Sequence, residues 1–356
     1  MDGYAVRADD LEQSQTWSFS LIGESLAGHP FNGELKPGQC VRVFTGAKVP
    51  AGADQVLLQE DVSVRTDDRV DFNQHTPAER YVRPVGHDIR KGTELARHRH
   101  RVNAFDLGAL AAAGIDQVTV FKRPVIGVFS SGDELVDPGT PPATLAEGQI
   151  YDSNRFTVLQ LLHGMPCELL DLGRLPDDAD AVAEAFKSAA SRCHALVTSG
   201  GVSVGDADFI TATIEKLGQL EFWRLNLKPG KPMAFGRIGE CYIFGLPGNP
   251  VSTIVTLLMV AKPAIWHLAG TRDKAPLRVS AELKSPLSHN PGRAEYQRGI
   301  FTQTQDGLAV TVTGDQSSNR LSTFHDANCL IEIHKDATDL PVGSLVNVLP
   351  FEGLLN

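Results

Sequence analysis

The sequence predicts a multidomain α/β protein: a central open parallel α/β sheet domain flanked by an N-terminal mostly-β region and a C-terminal small β barrel. Three observations carry this. Between residues 122 and 275, apolar strand-like runs alternate with helix-like segments, the pattern of a parallel sheet wound with helices. Residues 1–88 hold short alternating runs broken by turn residues. Residues 276–356 return to short strand-like runs.

In the first region, Trp17, Phe19 and Leu21 alternate with Ser18 and Ser20, as on a half-buried strand. Pro37-Gly38, Pro50-Ala51-Gly52 and Asp67-Asp68 punctuate further strands at 41–44 and 55–58. Residues 89–121 connect, and 104–113 suit a short helix closed by Gly114. The central domain opens with a continuous apolar strand, 124–129, that runs into Ser130-Ser131-Gly132-Asp133-Glu134. A helix over 154–163, a strand over 166–170 ending at Gly173, a helix over 180–191 and a strand over 195–197 follow. A further strand, 241–244, precedes a helix at 252–260. Runs at 279–283, 297–302, 308–313, 329–333 and 345–349 fit the barrel.

In open parallel sheets, ligands bind beyond the carboxyl ends of the strands. Here those ends carry Asp133, Glu134, Asp177, Asp178, Asp206 and Asp208. Each alone reads equally as an N-cap of the next helix, with Asp178 and Asp180 the best caps. Several such loops on one edge point to a site. The most informative segment runs from Thr198 to Asp208, with Ser199, Gly200, Gly201, Ser203 and Gly205 ahead of a helix at 210–217. Free N–H groups at a helix start favour an anion, and carboxylates beside it suggest a divalent cation bridging to phosphate oxygens. Lys228-Pro229-Gly230-Lys231-Pro232 is a stiff turn that presents two ammonium groups, with Arg224 a third cation nearby. Pro247-Gly248-Asn249-Pro250 is a rigid strand-to-helix turn, read as a pocket wall. The turns at 44–47 and 86–89 are, by physics alone, only turns. Arg97-His98-Arg99-His100-Arg101 reads as a solvated basic turn.

Composition narrows the classes. Hydrophobic residues make up 42% and the net charge is -10, which argues against nucleic acid or an anionic membrane as main partner. No uninterrupted apolar run approaches bilayer length. No basic stretch followed by an apolar core stands at Met1. The cysteines, 5 in number, form no C-x-x-C pair, so a reduced, cytoplasmic protein is expected.

Taken in order, Met1-Asp2-Gly3-Tyr4-Ala5, Thr45-Gly46-Ala47, Gly52-Ala53-Asp54, Ser131-Gly132-Asp133-Glu134, the Ser199–Gly205 loop, Lys228-Pro229-Gly230-Lys231 and Gly245-Leu246-Pro247-Gly248-Asn249-Pro250 resemble the motifs of the molybdopterin molybdenumtransferases, the MoeA and gephyrin E-domain family. The resemblance spans essentially the whole chain. It implies insertion of molybdenum from molybdate into adenylated molybdopterin with release of AMP, assisted by Mg²⁺. Carried over by motif, Glu134 and Asp208 lie near the metal and phosphates, with Asp177 on the same edge. Lys228, Lys231 and Arg224 bind anionic groups, and Pro247 and Pro250 shape the pocket. Arg293 and Ser318 stand at the molybdate end. Asp2, Thr45 and Asp88 face the α/β domain of the other subunit of a homodimer that shares its active site. Molybdopterin adenylyltransferase and molybdoenzymes are implied as transient partners.

The resemblance also places a family segment of several tens of residues ahead of Met1, so the start is read as an internal Met or a truncation. His87 replaces the usual acidic residue before Asp88, and Arg224 stands where Lys is common. Two other readings remain: a molybdopterin adenylyltransferase, whose single domain resembles 122–275, and a non-catalytic scaffold of the same fold.

Overall fold

The computed structural model describes residues 1–13, 17–73, 80–202, 209–271 and 275–355. Cα packing divides the chain into two units, Met1–Leu95 and Ala96–Asn356.

The first unit is a six-stranded sheet. Its strands are β1 (Gly3–Val6), β2 (Trp17–Ser25), β3 (Gln39–Val43), β4 (Gln55–Leu58), β5 (Val62–Arg65) and β6 (Arg69–Phe72), in the order β4-β1-β3-β2-β6-β5. The alternation at Trp17 and Phe19 does bury those rings, beside Tyr4, Val70 and Phe72.

The second unit begins with helix α1 (Ala104–Ala112). Asn103 caps it in a full capping box with Asp106, and Gly114 takes a left-handed φ of 75° just past its end. The basic turn before it is exposed, yet its side chains have partners. Arg101 lies over Trp266 and His100 bonds Asp106.

The central sheet comprises β7 (Val125–Ser131), β8 (Glu168–Leu175), β9 (Ala195–Ser199), β10 (Gln219–Arg224), β11 (Pro232–Ile238) and β12 (Cys241–Leu246), in the order β8-β7-β9-β12-β11-β10. The first four of that order run parallel. β11 and β10 add an antiparallel edge that periodicity did not reveal. β8 is longer than expected. Gly173, expected to end it, sits within it at a register shift with φ 79°, as a bulge. Side chains alternate across the sheet. Ile126, Val128, Val197 and Leu246 face helix α2 (Asn154–His163) and a helix along Pro250–Leu268, α5. Phe129, Leu196 and Ile243 face α3 (Ala179–Ala190) and α4 (Phe209–Leu217). The sheet is therefore doubly wound.

α5 runs on past the expected end through a π turn, Leu257–Ala261, that precedes Pro263. It is long and apolar enough to cross a membrane, which run length alone did not suggest. Its apolar side chains are used inside the protein: Leu257, Ala261 and Ile265 in the sheet core, Val251, Val255 and Leu258 against Tyr296, Leu330 and Leu349.

The C-terminal strands are β13 (Val279–Leu283), β14 (Ala294–Thr304), β15 (Gly307–Val312), β16 (Cys329–Ile333) and β17 (Leu345–Pro350). They pair in the order β14-β15-β13-β17-β16, and β16 returns to β14, closing the barrel around Leu283, Val310, Ile331 and Val348. A two-residue strand, Leu227–Lys228, pairs in parallel with β14. A terminal helix, α6 (Phe351–Leu355), follows β17.

Candidate active site

The carboxyl ends of the four parallel strands lie level. Ser199 pairs with Ser130 on one side and Leu246 on the other, and Leu175 pairs with Ser131. Whatever follows each strand therefore meets its neighbours, and a cavity of about 890 Å³ opens there. The α/β walls are Gly132 and Glu134, Asp177, Ser199–Val202, the Lys228–Pro232 turn and Pro247–Pro250. The barrel supplies Arg293, Glu295, Tyr296 and the segment Gln316–Asn319. The volume suits a ligand of nucleotide size.

Glycine makes the close approach possible. Gly200 has φ 87°, and a Cβ there would sit 2.3 Å from the Ser131 carbonyl oxygen. Its N–H donates to the Leu246 carbonyl at 3.2 Å, so three strand ends meet at one residue. Asp178 is the cap of α3, accepting from the Ala181 N–H at 2.8 Å. Asp180 is not a cap: it stands in the first turn and pairs with Lys216 at 3.6 Å. Asp177 turns the other way. It accepts from Ser131 Oγ at 3.4 Å and the Asp133 N–H at 3.3 Å, while its own N–H donates to Asp133. Glu134 folds back over Gly132, where a Cβ would lie 2.4 Å from Glu134 Oε2. The buried hydroxyls of Ser130, Thr198 and Ser199 have no protein partner among the described residues.

Of the cations, Lys228, Lys231 and Arg293 line the cavity. Arg224 does not; its guanidinium stacks on Trp223 at 3.8 Å on the edge strand, so an anion in the cavity has no contact from it. The Lys228–Pro229 peptide is cis. Ser203, Gly205 and Asp208 lie outside the described residues. Ser318 lines the cavity, and its carbonyl accepts from the Val251 N–H at 3.0 Å, joining that segment to the start of α5.

In the other unit, Asp2 Oδ1 accepts from both the N–H and Oγ1 of Thr45 at 2.8 Å. Those bonds, the backbone one first, hold the Asp2 carboxyl below its usual range. Asp88 is exposed and makes no hydrogen bond to either among the described residues.

Among the lining residues that motif reading missed are Asp152, Asn154, Glu295 and Gln316. Asp152, 1% exposed, is neutralised by Arg155, which also engages Asp137 and both oxygens of Asp171. Asn154 Nδ2 donates to the Gly248 carbonyl at 2.7 Å and sets the Pro247–Pro250 wall. For Asp152 and Asn154, the run Asp152-Ser153-Asn154 leading into a helix was the available signal.

Comparison with known proteins meets this geometry. Residues 1–114, 127–267 and 280–351 match, in order, the MoeA N-terminal region (domains I and II), the probable molybdopterin binding domain and the MoeA C-terminal region (domain IV). A molybdopterin molybdenumtransferase of Haemophilus influenzae is 41% identical over 357 residues, covering 100% of this chain and 87% of that protein. The chain belongs to the molybdopterin molybdenumtransferase family. A molybdopterin molybdenumtransferase of a Nostoc species is 33% identical, covering 98% of this chain and 81% of that one. The crystal structure of a molybdopterin biosynthesis MoeA protein from Pyrococcus horikoshii superposes with a TM-score of 0.81 at 29% identity, covering 99% of this chain and 87% of that one. As a molybdenumtransferase-family member, the chain is a transferase of molybdenum cofactor biosynthesis.

Proposed function

We propose that this cavity inserts molybdenum from molybdate into adenylated molybdopterin and releases AMP. The observation that carries the reading is one cavity with an α/β wall suited to phosphates and a barrel wall suited to a second oxyanion. Gly200, Gly201 and the Pro247–Pro250 turn let phosphate oxygens approach backbone, and Lys231 supplies a cation. Arg293 and Ser318 face the same space from the barrel and are the proposed molybdate end. That second wall favours insertion over adenylyl transfer by an isolated α/β domain.

The described lining holds four carboxylates (Glu134, Asp152, Asp177, Glu295) and three cations (Lys228, Lys231, Arg293). With Asp152 neutralised by Arg155, the other three carboxylates balance the three cations, so the lining carries no surplus positive charge for polyanionic substrates and a counter-cation is needed. Glu134 and Asp177 offer hard oxygen donors of the kind Mg²⁺ takes when phosphates complete its shell, although no group of three or more such ligands is present among the described residues. Glu134, with Asp208, is the proposed Mg²⁺ holder. Bound there, the ion would neutralise phosphate charge and polarise the phosphoanhydride. The chain's own residues bind, orient and neutralise, and no covalent nucleophile is required.

In this reading the protein is a homodimer. Asp2, Thr45 and Asp88 complete the site of the other subunit, Asp2 as a carboxylate held by Thr45. Passage of the cofactor on to molybdoenzymes, after its supply by molybdopterin adenylyltransferase, would take place in the cytoplasm, where the five free cysteines stay reduced. The test is AMP release from adenylated molybdopterin with Mg²⁺, with and without molybdate. Molybdate-dependent release is expected; tight binding of a peptide partner with no nucleotide turnover would move the reading to a scaffold.

A further inference from the structure

Glu295 is at odds with its surroundings. It is acidic, 3% exposed, and on the wall of a cavity that must receive anions. A buried carboxylate is unfavourable unless donors surround it, and three do. Lys228 Nζ lies 3.1 Å from both carboxylate oxygens. His289 Nδ1 lies 2.7 Å from Oε2, and Gln297 Nε2 lies 3.0 Å from Oε1. Backbone register enforces the first contact, because Lys228 stands directly opposite Glu295 where the two-residue strand joins β14. Behind the carboxylate, the His289 side chain is fully buried and its Nε2 has no partner among the described residues. The proton therefore belongs on Nδ1, donated to Glu295. Gln297 is itself anchored on the Ser288 carbonyl at 3.0 Å. Of this group, Lys228 is the one that reaches toward open space, with its side chain 40% exposed. Lys231 and Arg293 make no ion pair among the described residues.

Resting on the insertion reading, we propose that Glu295, backed by His289, is a positioning residue that fixes the Lys228 ammonium at one point of the cavity wall. Substrate then meets an aligned cation instead of a mobile one. The arrangement has an opposing effect: the carboxylate cancels a charge that would otherwise attract the substrate. Alignment and affinity should therefore move in opposite directions when Glu295 loses its charge. A carboxylate that merely supported the barrel would not split them.

The experiment uses the full chain, with AMP alone as the binding probe, competitive acylation of Lys228 read by mass spectrometry, and steady-state AMP release. In Glu295→Gln, AMP should bind severalfold tighter. Lys228 should acylate severalfold faster, its amine no longer tied to a carboxylate, and kcat should fall by about 10- to 100-fold. His289→Asn, whose amide nitrogen can replace Nδ1 as donor, should stay within about twofold of wild type, and His289→Leu should shift toward Glu295→Gln. Unchanged kcat and acylation in Glu295→Gln, or weaker AMP binding, overturns the proposal. If that variant does not fold, Glu295→Asp decides, because it keeps the charge but shortens the reach: kcat should drop while AMP affinity holds, and an unchanged kcat overturns the assignment. If wild type shows no molybdate-dependent release, the functional reading fails, and AMP binding and acylation still decide the role of Glu295.

Discussion

Replacing Arg298 with methionine isolates what holds the barrel wall of the cavity in place. Arg298 is 0% exposed, on β14. Its Nε donates to Thr323 Oγ1 at 3.0 Å, one terminal nitrogen to the Gln316 carbonyl at 3.2 Å, and the other to the Asp315 and Ser317 carbonyls at 3.0 and 3.1 Å. The guanidinium thus holds the three residues that lead into Ser318. Burial pushes its pKa down to about 10, so it stays cationic at neutral pH. Methionine keeps an apolar stem and removes all four bonds. A stranded charge-assisted partner costs about 1.5–3 kcal/mol, but three of these partners are loop carbonyls that can rehydrate, so about 1 kcal/mol for each remains, or ~3 kcal/mol for the loop, while Thr323 Oγ1 keeps its bond to the Arg320 carbonyl. That predicts a roughly 100-fold rise in local opening, read as amide hydrogen exchange across residues 313–320 and at Val251, whose N–H bonds the Ser318 carbonyl. The molybdate KM should rise with it. An exchange rate within about threefold of wild type, with an unchanged melting transition, would refute the clamp.

Further outcomes follow from the same geometry. Gly200→Ala puts a Cβ 2.3 Å from the Ser131 carbonyl oxygen at φ 87°, so AMP release should fall at least ~10-fold while the far-ultraviolet circular dichroism is unchanged. Asp177→Asn should lower AMP release by about 10- to 100-fold and raise the Mg²⁺ concentration needed for half-maximal rate; an unchanged Mg²⁺ dependence would leave Asp177 a purely structural link to Asp133. Lys262 is buried, with Nζ 2.7 Å from the Leu354 and Leu355 carbonyls, and burial, aided by Arg101, pushes it down to about 8. An unfolded lysine titrates near 10.4, so between those values the unfolded chain binds the extra proton and stability rises with pH. Denaturation of wild type against Lys262→Met should therefore shift by about 2 kcal/mol in favour of wild type from pH 7 to pH 9.5, and a shift of the opposite sign would refute the assignment.

The parallel sheet, the barrel and most of the loops at the sheet edge were legible because local chemistry encodes them. Fully buried strands such as β7 and β9 are continuous apolar runs, and Gly200, Gly201 and the Lys228–Pro232 turn announce backbone constraints in their own residue types. The antiparallel edge of β10 and β11 was not legible, since β10 alternates over only Gln219 to Phe222 and β11 is an apolar stretch broken by Gly236 and Arg237. Nor was the bulge at Gly173, which looked like a stop until the register of β8 against β7 showed the ladder resuming at Arg174.

By itself the sequence determined which loops would gather at the carboxyl ends of the strands, because in a parallel sheet direction alone brings them to one edge. It also carried the ordered motif set that relates the chain to its family. Only the tertiary structure decided which charges act there. Glu295 lies 67 residues from Lys228, and Asp171 lies 16 from Arg155; pairing of the Leu227–Lys228 strand with β14 and helix packing create those pairs. Arg224 went the other way, drawn from the cavity onto the ring of Trp223. A residue's type sets what it can bind, but its neighbours in space decide whether its charge is free to do so.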